Sequence, residues 1–86
     1  MKLDERTLRL IAIGASIAAN CQPCLQTNLA KALESGADAP EIAAAIRVGR
    51  MVRQGAATLM DRLAVSLSPA LPLSALPLNE ECGCSS

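Results

Sequence analysis

The sequence contains no Phe, Tyr or Trp, although hydrophobic residues make up 51% of its 86 positions. A core must therefore be built from Leu, Ile, Val, Met and Ala, and such side chains favour helices that pack closely against one another. A chain of this length forms at most one domain, and its core supplies only marginal stability by itself. We therefore expect an all-α fold that gains stability from oligomerisation or cross-links.

The first helix is predicted to start at Asp4 and to end near Asn20. Asp4 suits the N-cap position, and Glu5 lies near the positive end of the helix dipole. Residues 10–19 are apolar almost throughout, which predicts a central, buried helix. The apolar stretch is shorter than the ~20 residues that a membrane span requires, so we expect no membrane association.

Local signals predict three more helices, which makes about four in all. The second starts at residue 21 and ends at Gly36 with a left-handed cap. The third opens at Asp38, which forms the pattern of a capping box with Glu41, and ends near Gly55. Residues 56–66 form a fourth helix, either separate or joined to the third through a bend.

The composition changes after Ser66, which predicts a helical domain over residues 1–66 and a tail over residues 67–86. Three prolines interrupt helix formation in the tail and favour an extended segment. Its many leucines are too apolar for an ideal disordered linker, so part of it is expected to lie in a groove of this or a neighbouring subunit. The tail ends in a Cys82-Gly83-Cys84 motif.

Two features of the composition exclude classes of function. The chain has no His, which excludes Ser-His and Cys-His dyads and imidazole metal sites. Its formal net charge is zero and it has no basic cluster mixed with aromatic residues, so nucleic acid is not an expected partner. Asp4 and Glu5 follow Met1-Lys2 almost at once and spoil a signal-peptide start, so a cytoplasmic location is predicted.

Cysteine is left as the reactive residue, and Cys21 and Cys24 are separated by two residues at a predicted helix start. Such a pair can close a small disulfide ring, and the free N–H groups of the first turn stabilise a thiolate. By itself the spacing leaves three interpretations open. The pair is a redox-active dithiol, half of a zinc site, or two buried structural thiols.

The surroundings of the pair resemble the carboxymuconolactone decarboxylase / AhpD-like superfamily, over about residues 3–64. The resemblance lies in Asp4-x-x-Thr7-x-x-Leu10-Ile11, Asn20-Cys21-x-x-Cys24, Leu29-x-x-Ala32-Leu33-x-x-Gly36-Ala37 and Pro40-Glu41-Ile42-x-x-Ala45-Ile46. It implies an AhpD-like helical bundle that assembles into trimers or hexamers. In the alkylhydroperoxidase branch the cysteine pair reduces peroxides or exchanges disulfides with a redox partner, without a cofactor. The decarboxylase activity of the superfamily is not expected, because the resemblance follows the branch with the cysteine pair.

The resemblance implies that Cys24 is the nucleophile that attacks peroxide and that Cys21 resolves the sulfenic acid. The family pattern has a His one turn after the second cysteine and a Glu about three turns before the first, where this chain has Asn28 and Arg9. Neither residue accepts a proton near neutral pH. We expect an impaired proton relay, in which Asn28 orients a thiol or water and Arg9 stabilises a thiolate. The alternative is that both are ordinary hydrogen-bonding or ion-paired residues.

The tail thiols, Cys82 and Cys84, have three possible roles. They could resolve or shuttle disulfides as a mobile arm that reaches the Cys21–Cys24 pair. All four thiolates could instead bind zinc or copper, and the alternative to a redox function is a non-catalytic metal-binding protein or an oligomeric scaffold. The third possibility is a pair of exposed, nonessential cysteines. We favour the interpretation that the protein is a thiol-disulfide oxidoreductase with peroxiredoxin-type activity.

A row of arginines recurs every three residues in the third helix, at Arg47, Arg50 and Arg53. Such a row can present an anion site. A solvated helix face explains the same pattern, and we favour that interpretation.

Overall fold

The computed structural model describes residues 2–68. These residues form α1 (Glu5–Ala18), α2 (Gln22–Glu34) and α3 (Ala39–Leu67), and they contain no strand. α1 packs against both α2 and α3, which hardly contact each other. The all-α prediction is confirmed. None of the three helices is both long and apolar enough to cross a membrane.

The predicted helix starts are confirmed by hydrogen bonds at two aspartates. The Asp4 carboxylate accepts a hydrogen bond of 2.7 Å from the Thr7 N–H, and bonds from the Thr7 side chain and backbone hold the pKa of Asp4 below its ordinary value. Asp38 and Glu41 form a capping box, with N···O distances of 2.9 and 3.0 Å. Each cap satisfies N–H groups that a helix start otherwise leaves unpaired.

The end of α2 also follows the sequence prediction. Gly36 has a φ of +91°, a conformation in which glycine avoids the steric cost of a Cβ atom. Its N–H donates to the Leu33 carbonyl at 3.2 Å, and the Ala37 N–H donates to the Ala32 carbonyl at 3.0 Å. These two bonds form a Schellman motif, which turns the chain directly into the cap of α3.

The predicted end of the third helix near Gly55 is wrong, because α3 continues through this residue to Leu67 as one helix. The structure therefore has three helices over residues 2–68 and not about four. A glycine in a helix interior costs only about 1 kcal/mol relative to alanine, and it keeps its N–H donor. Residues 56–67 are rich in Ala, Leu and Met, which favour helix and outweigh that cost.

The core is small and centres on the inner face of α1. Ile13 is fully buried and packs with Ala32, Ala37 and Ile42. The prediction of a central α1 holds, but α1 is not buried all round. Ile11 is 57% exposed because α2 and α3 leave one face of the helix uncovered.

Gly14 and Gly49 let the backbones of α1 and α3 touch. A Cβ atom at Gly49 would lie 2.5 Å from the Gly14 carbonyl oxygen and 2.7 Å from the Ile17 Cβ. One of those neighbours is backbone and the other is the first atom of a side chain, so neither can rotate away. The crossing therefore requires a residue without a side chain at position 49.

We predict that Gly49→Ala destabilises the fold by about 1–3 kcal/mol, because the added methyl forces α1 and α3 apart. Gly55→Ala is the matched control on the same helix, since a Cβ atom there would meet nothing within 4 Å. The control should raise stability by roughly 0.5–1 kcal/mol through helix propensity. Urea denaturation followed by circular dichroism measures both changes. Equal effects of the two substitutions would contradict the close crossing.

Candidate functional site

The cysteine pair lies where α1 ends and α2 begins. Asn20 adopts the left-handed conformation with a φ of +56°, and its N–H donates to the Ile17 carbonyl at 3.1 Å. The Cys21 N–H donates to the Ser16 carbonyl at 2.9 Å, which completes a second Schellman motif. This turn places Cys21 at the N-cap of α2, so the thiol pair spans the first turn of that helix.

Cys21 and Cys24 are joined by a disulfide, with their Cα atoms 5.3 Å apart. Cys24 is exposed and Cys21 is half-buried. No side chain within the described part of the chain caps α2, and Pro23 occupies its first turn. The N–H groups of that turn are therefore not engaged by a cap, and together with the helix dipole they favour a thiolate after reduction.

The two predicted supporting residues meet beside the pair. The Asn28 Nδ2 donates to the Cys24 carbonyl oxygen at 2.8 Å, and its Oδ1 accepts a hydrogen bond of 2.9 Å from the Arg9 Nη1. The Arg9 Nε in turn donates to the Glu5 carboxylate at 2.9 Å. A continuous chain of hydrogen bonds thus runs from Glu5 through Arg9 and Asn28 to the backbone of Cys24.

This chain fixes the Cys24 backbone, and its one carboxylate, Glu5, is separated from the cysteine pair by Arg9 and Asn28. Both polar atoms of the Asn28 amide are engaged, and the Arg9 guanidinium bonds Asn28 and Glu5. Within residues 2–68, neither Arg9 nor Asn28 hydrogen-bonds to a cysteine sulfur in this disulfide form. From the sequence, Glu5 was expected only to interact with the helix dipole. Its spacing of four residues from Arg9 is also a signal for an ion pair.

A cavity of about 240 Å³ opens beside Cys21, and one of the three regularly spaced arginines of α3 lines it. Arg53 is half-buried, and its Nη1 donates to the Asn20 Oδ1 at 3.1 Å. Arg47 and Arg50 are exposed, as expected of a solvated face. The sequence did not separate Arg53 from the other two, because its position depends on the crossing of α1 and α3. The cavity is lined by Ser16, Ile17, Asn20, Cys21, Gln22, Leu25 and Arg53.

A second, larger cavity is an apolar groove of about 540 Å³ between α1 and α3. Glu41 is the one ionisable residue in its wall, and it is paired with Arg6 at 3.0 Å and with the Asp38 N–H. Among the described residues that line the groove, none besides this paired carboxylate could act as a nucleophile or general base. The other residues that line the groove are Leu10, Ile11, Gly14, Ala15, Ala18, Ala44, Ala45, Val48, Gly49 and Val52.

Metal binding and the shuttle arm depend on the tail thiols. Residues 2–68 contain no group of three or more His, Cys, Asp or Glu side chains that could hold a metal ion. Cys82 and Cys84 lie outside the described residues. Their predicted roles, as a shuttle for the disulfide or as ligands in a four-thiolate site, remain predictions.

Comparison with known proteins supports the resemblance that the motifs indicate. The sequence model of the Carboxymuconolactone decarboxylase family matches residues 1–66. No curated protein and no solved structure gives a significant match. The match covers all three helices except the final residue of α3, and it includes the Cys21–Cys24 disulfide. The chain therefore belongs to the carboxymuconolactone decarboxylase family, in its all-α, AhpD-like form with a cysteine pair.

Proposed function

We propose that this protein is a thiol-disulfide oxidoreductase that cycles Cys21 and Cys24 between a disulfide and a dithiol. The observation that carries the proposal is the disulfide itself, which spans the uncapped first turn of α2 with Cys24 exposed. A disulfide that is open to solvent can be attacked by an external thiolate. The helix start stabilises the thiolate that leaves.

The reduced pair can act on a peroxide in two balanced steps. The Cys24 thiolate attacks one peroxide oxygen, the S–O bond forms, the O–O bond breaks, and the departing oxygen takes a proton and leaves as an alcohol or water. The Cys21 thiolate then attacks the sulfenic sulfur of Cys24, which forms the disulfide and releases a second oxygen as water. A thiol reductant restores the dithiol with two electrons and two protons.

Disulfide exchange fits this site better than rapid peroxide reduction. The rate of peroxide reduction is raised by a base that removes the thiol proton and by an acid that delivers a proton to the leaving oxygen. Arg9 and Asn28 supply neither function, since one is permanently charged and the other is a neutral amide. Exchange with a disulfide requires only the thiolate, which the start of α2 favours.

Cys24→Ser should reduce the consumption of an organic hydroperoxide by the pre-reduced protein to the rate measured without protein, and it should stop exchange with a small disulfide at the mixed disulfide of Cys21, with one thiol released in place of two. The substitution removes the exposed sulfur and leaves a hydroxyl that is a poor nucleophile at neutral pH. Stopped-flow absorbance measures both reactions in a single turnover. The control is the double substitution Cys82→Ser and Cys84→Ser, which should keep the single-turnover rates. Full activity of Cys24→Ser would contradict the proposal.

Restoring the family residues should restore peroxidase activity. Arg9 and Asn28 are in direct contact at 2.9 Å, so Asn28→His combined with Arg9→Glu would place an imidazole beside a carboxylate. We expect the double variant to reduce organic hydroperoxide roughly 10- to 100-fold faster than the parent protein. Asn28→His alone should gain less, because the neighbouring Arg9 disfavours a protonated imidazole.

The quantity to measure for both variants is the rate of peroxide reduction divided by the rate of disulfide exchange in the same preparation. A restored relay should raise this ratio, whereas a general change of the thiolate would alter both rates together. No rise in the ratio for the double variant would show that the missing relay does not limit peroxide reduction.

The active form is proposed to be a homo-oligomer, most simply a trimer or hexamer as in related proteins. The apolar groove between α1 and α3 is open, and α3 exposes large side chains along its length. Val52 lines the groove and is 57% exposed. A second copy of the chain would remove this surface from water. The exposed apolar side chains of α3 are Val48, Met51, Val52, Leu59, Met60, Leu63, Val65 and Leu67.

Val52→Glu should shift the protein to a smaller assembly, because it would bury an unpaired carboxylate in the proposed interface. Gln54→Glu is the matched control, since it adds the same charge two residues away at an exposed position outside the groove. Sedimentation velocity at several concentrations measures the mass of each variant. A parent protein that is monomeric at all concentrations, or equal effects of both substitutions, would contradict an interface at the groove.

A further inference from the structure

The cavity beside Cys21 combines a reactive sulfur with two sources of positive potential. The first is the Arg53 guanidinium in its wall. The second is the start of α2, whose first residue, Gln22, also lines the cavity. A helix N-terminus attracts anions through its unpaired N–H groups and its dipole. Among residues 2–68, no Asp or Glu lines the cavity and repels an anionic ligand.

We propose that this cavity binds a carboxylate-bearing low-molecular-weight thiol and its disulfide, and that Cys21 is the sulfur with which the ligand exchanges. The proposal rests on the redox function proposed above and names a substrate class for it. Arg53 holds the ligand carboxylate, and Cys21, which lines the same cavity, meets the ligand sulfur.

Arg53 is suited to this role because its charge is not neutralised inside the described part of the chain. Arg6 and Arg9 each pair with a glutamate, whereas the partner of Arg53 is the neutral amide oxygen of Asn20. That hydrogen bond uses one of the five N–H donors of a guanidinium and holds the group in place. The remaining donors can bind a carboxylate in the planar, two-point geometry that arginine favours.

The size of the cavity restricts the ligand. Drug-sized ligands occupy pockets of about 300–1,000 Å³, and this cavity measures about 240 Å³. A mercapto acid with a short carbon chain is small enough to fit. The Leu25 and Ile17 side chains supply an apolar wall for that carbon chain.

The exchange is balanced as two thiolate attacks. The ligand thiolate attacks the Cys21 sulfur, the ligand–Cys21 bond forms, the Cys21–Cys24 bond breaks, and the electron pair leaves on Cys24. Cys24 lies in the first turn of α2, where the helix start stabilises that thiolate. A second ligand thiolate then attacks the ligand sulfur of the mixed disulfide and displaces the Cys21 thiolate. Two ligand thiols thereby pass two electrons and two protons to the protein and become a disulfide.

The test compares reduction of the oxidised full-length protein by three small thiols of different charge. The probes are 3-mercaptopropionate, 2-mercaptoethanol and cysteamine, which are anionic, neutral and cationic, and they are compared at equal thiolate concentration. Rapid alkylation and mass spectrometry give the rate at which the Cys21–Cys24 disulfide opens. The rate for the anionic probe divided by the rate for the neutral probe is the quantity that reports on Arg53.

We expect the parent protein to prefer the anionic probe over the neutral one by roughly fivefold or more, with the cationic probe slowest. Arg53→Gln should bring the ratio close to one. Arg53→Lys should keep most of the preference, because it retains the charge. Arg50→Gln is the matched control, since it removes the same charge from an exposed position one turn earlier on α3, and it should leave the ratio unchanged.

The possible results separate the two proposals. If all three thiols open the disulfide but the ratio is the same in the parent, Arg53→Gln and Arg50→Gln, the ligand site is overturned while the redox function stands. If no thiol opens the disulfide in any variant, the redox function fails and the ligand site fails with it. Circular dichroism checks that each variant is folded, because the disulfide of an unfolded fraction would open without a preference for charge, and Arg53→Lys tests the charge a second time at the same position.

Discussion

The backbone contact between α1 and α3 at Gly14 and Gly49 determines most of the architecture. A chain without aromatic residues cannot fill wide spaces between helices, so its core depends on close approach of the backbones. The same contact determines which residue of α3 lies beside the end of α1. Arg53 lies one turn beyond Gly49, and the crossing brings it to Asn20 at the end of α1. The packing of the core and the charge beside Cys21 thus have one origin.

The turn at the end of α1 positions the cysteine pair relative to the packed helices. Its Schellman motif places Cys21 at the start of α2, so the pair spans a helix N-terminus that carries no competing cap. On the other side, Asn28 and Arg9 tie the Cys24 backbone to α1. The backbone of the pair is therefore held by hydrogen bonds and the helix start favours a thiolate, but neither Arg9 nor Asn28 can transfer a proton near neutral pH. This combination explains why disulfide exchange is the better supported of the two family reactions.

Helix caps and turns that depend on residues close together in the chain could be predicted from the sequence. The caps at Asp4 and Asp38 and the turn at Gly36 are of this kind, because their hydrogen bonds join residues at most five positions apart. Gly55 misled the prediction because helix propensity is a weak preference that a favourable neighbourhood overrides. Arg53 was indistinguishable from its neighbours for a different reason. Its role depends on a contact 33 residues away in the chain.

A redox titration of the metal-free protein would show whether Cys21 and Cys24 form a reversible redox couple. Mass spectrometry of alkylated peptides would show which cysteines pair at each potential. We expect a two-electron Cys21–Cys24 couple at about −200 to −270 mV, the range of glutaredoxins and thioredoxin. Four thiols that stay reduced and independent across this range, or stoichiometric uptake of zinc or copper by the thiolates in place of disulfide formation, would contradict it.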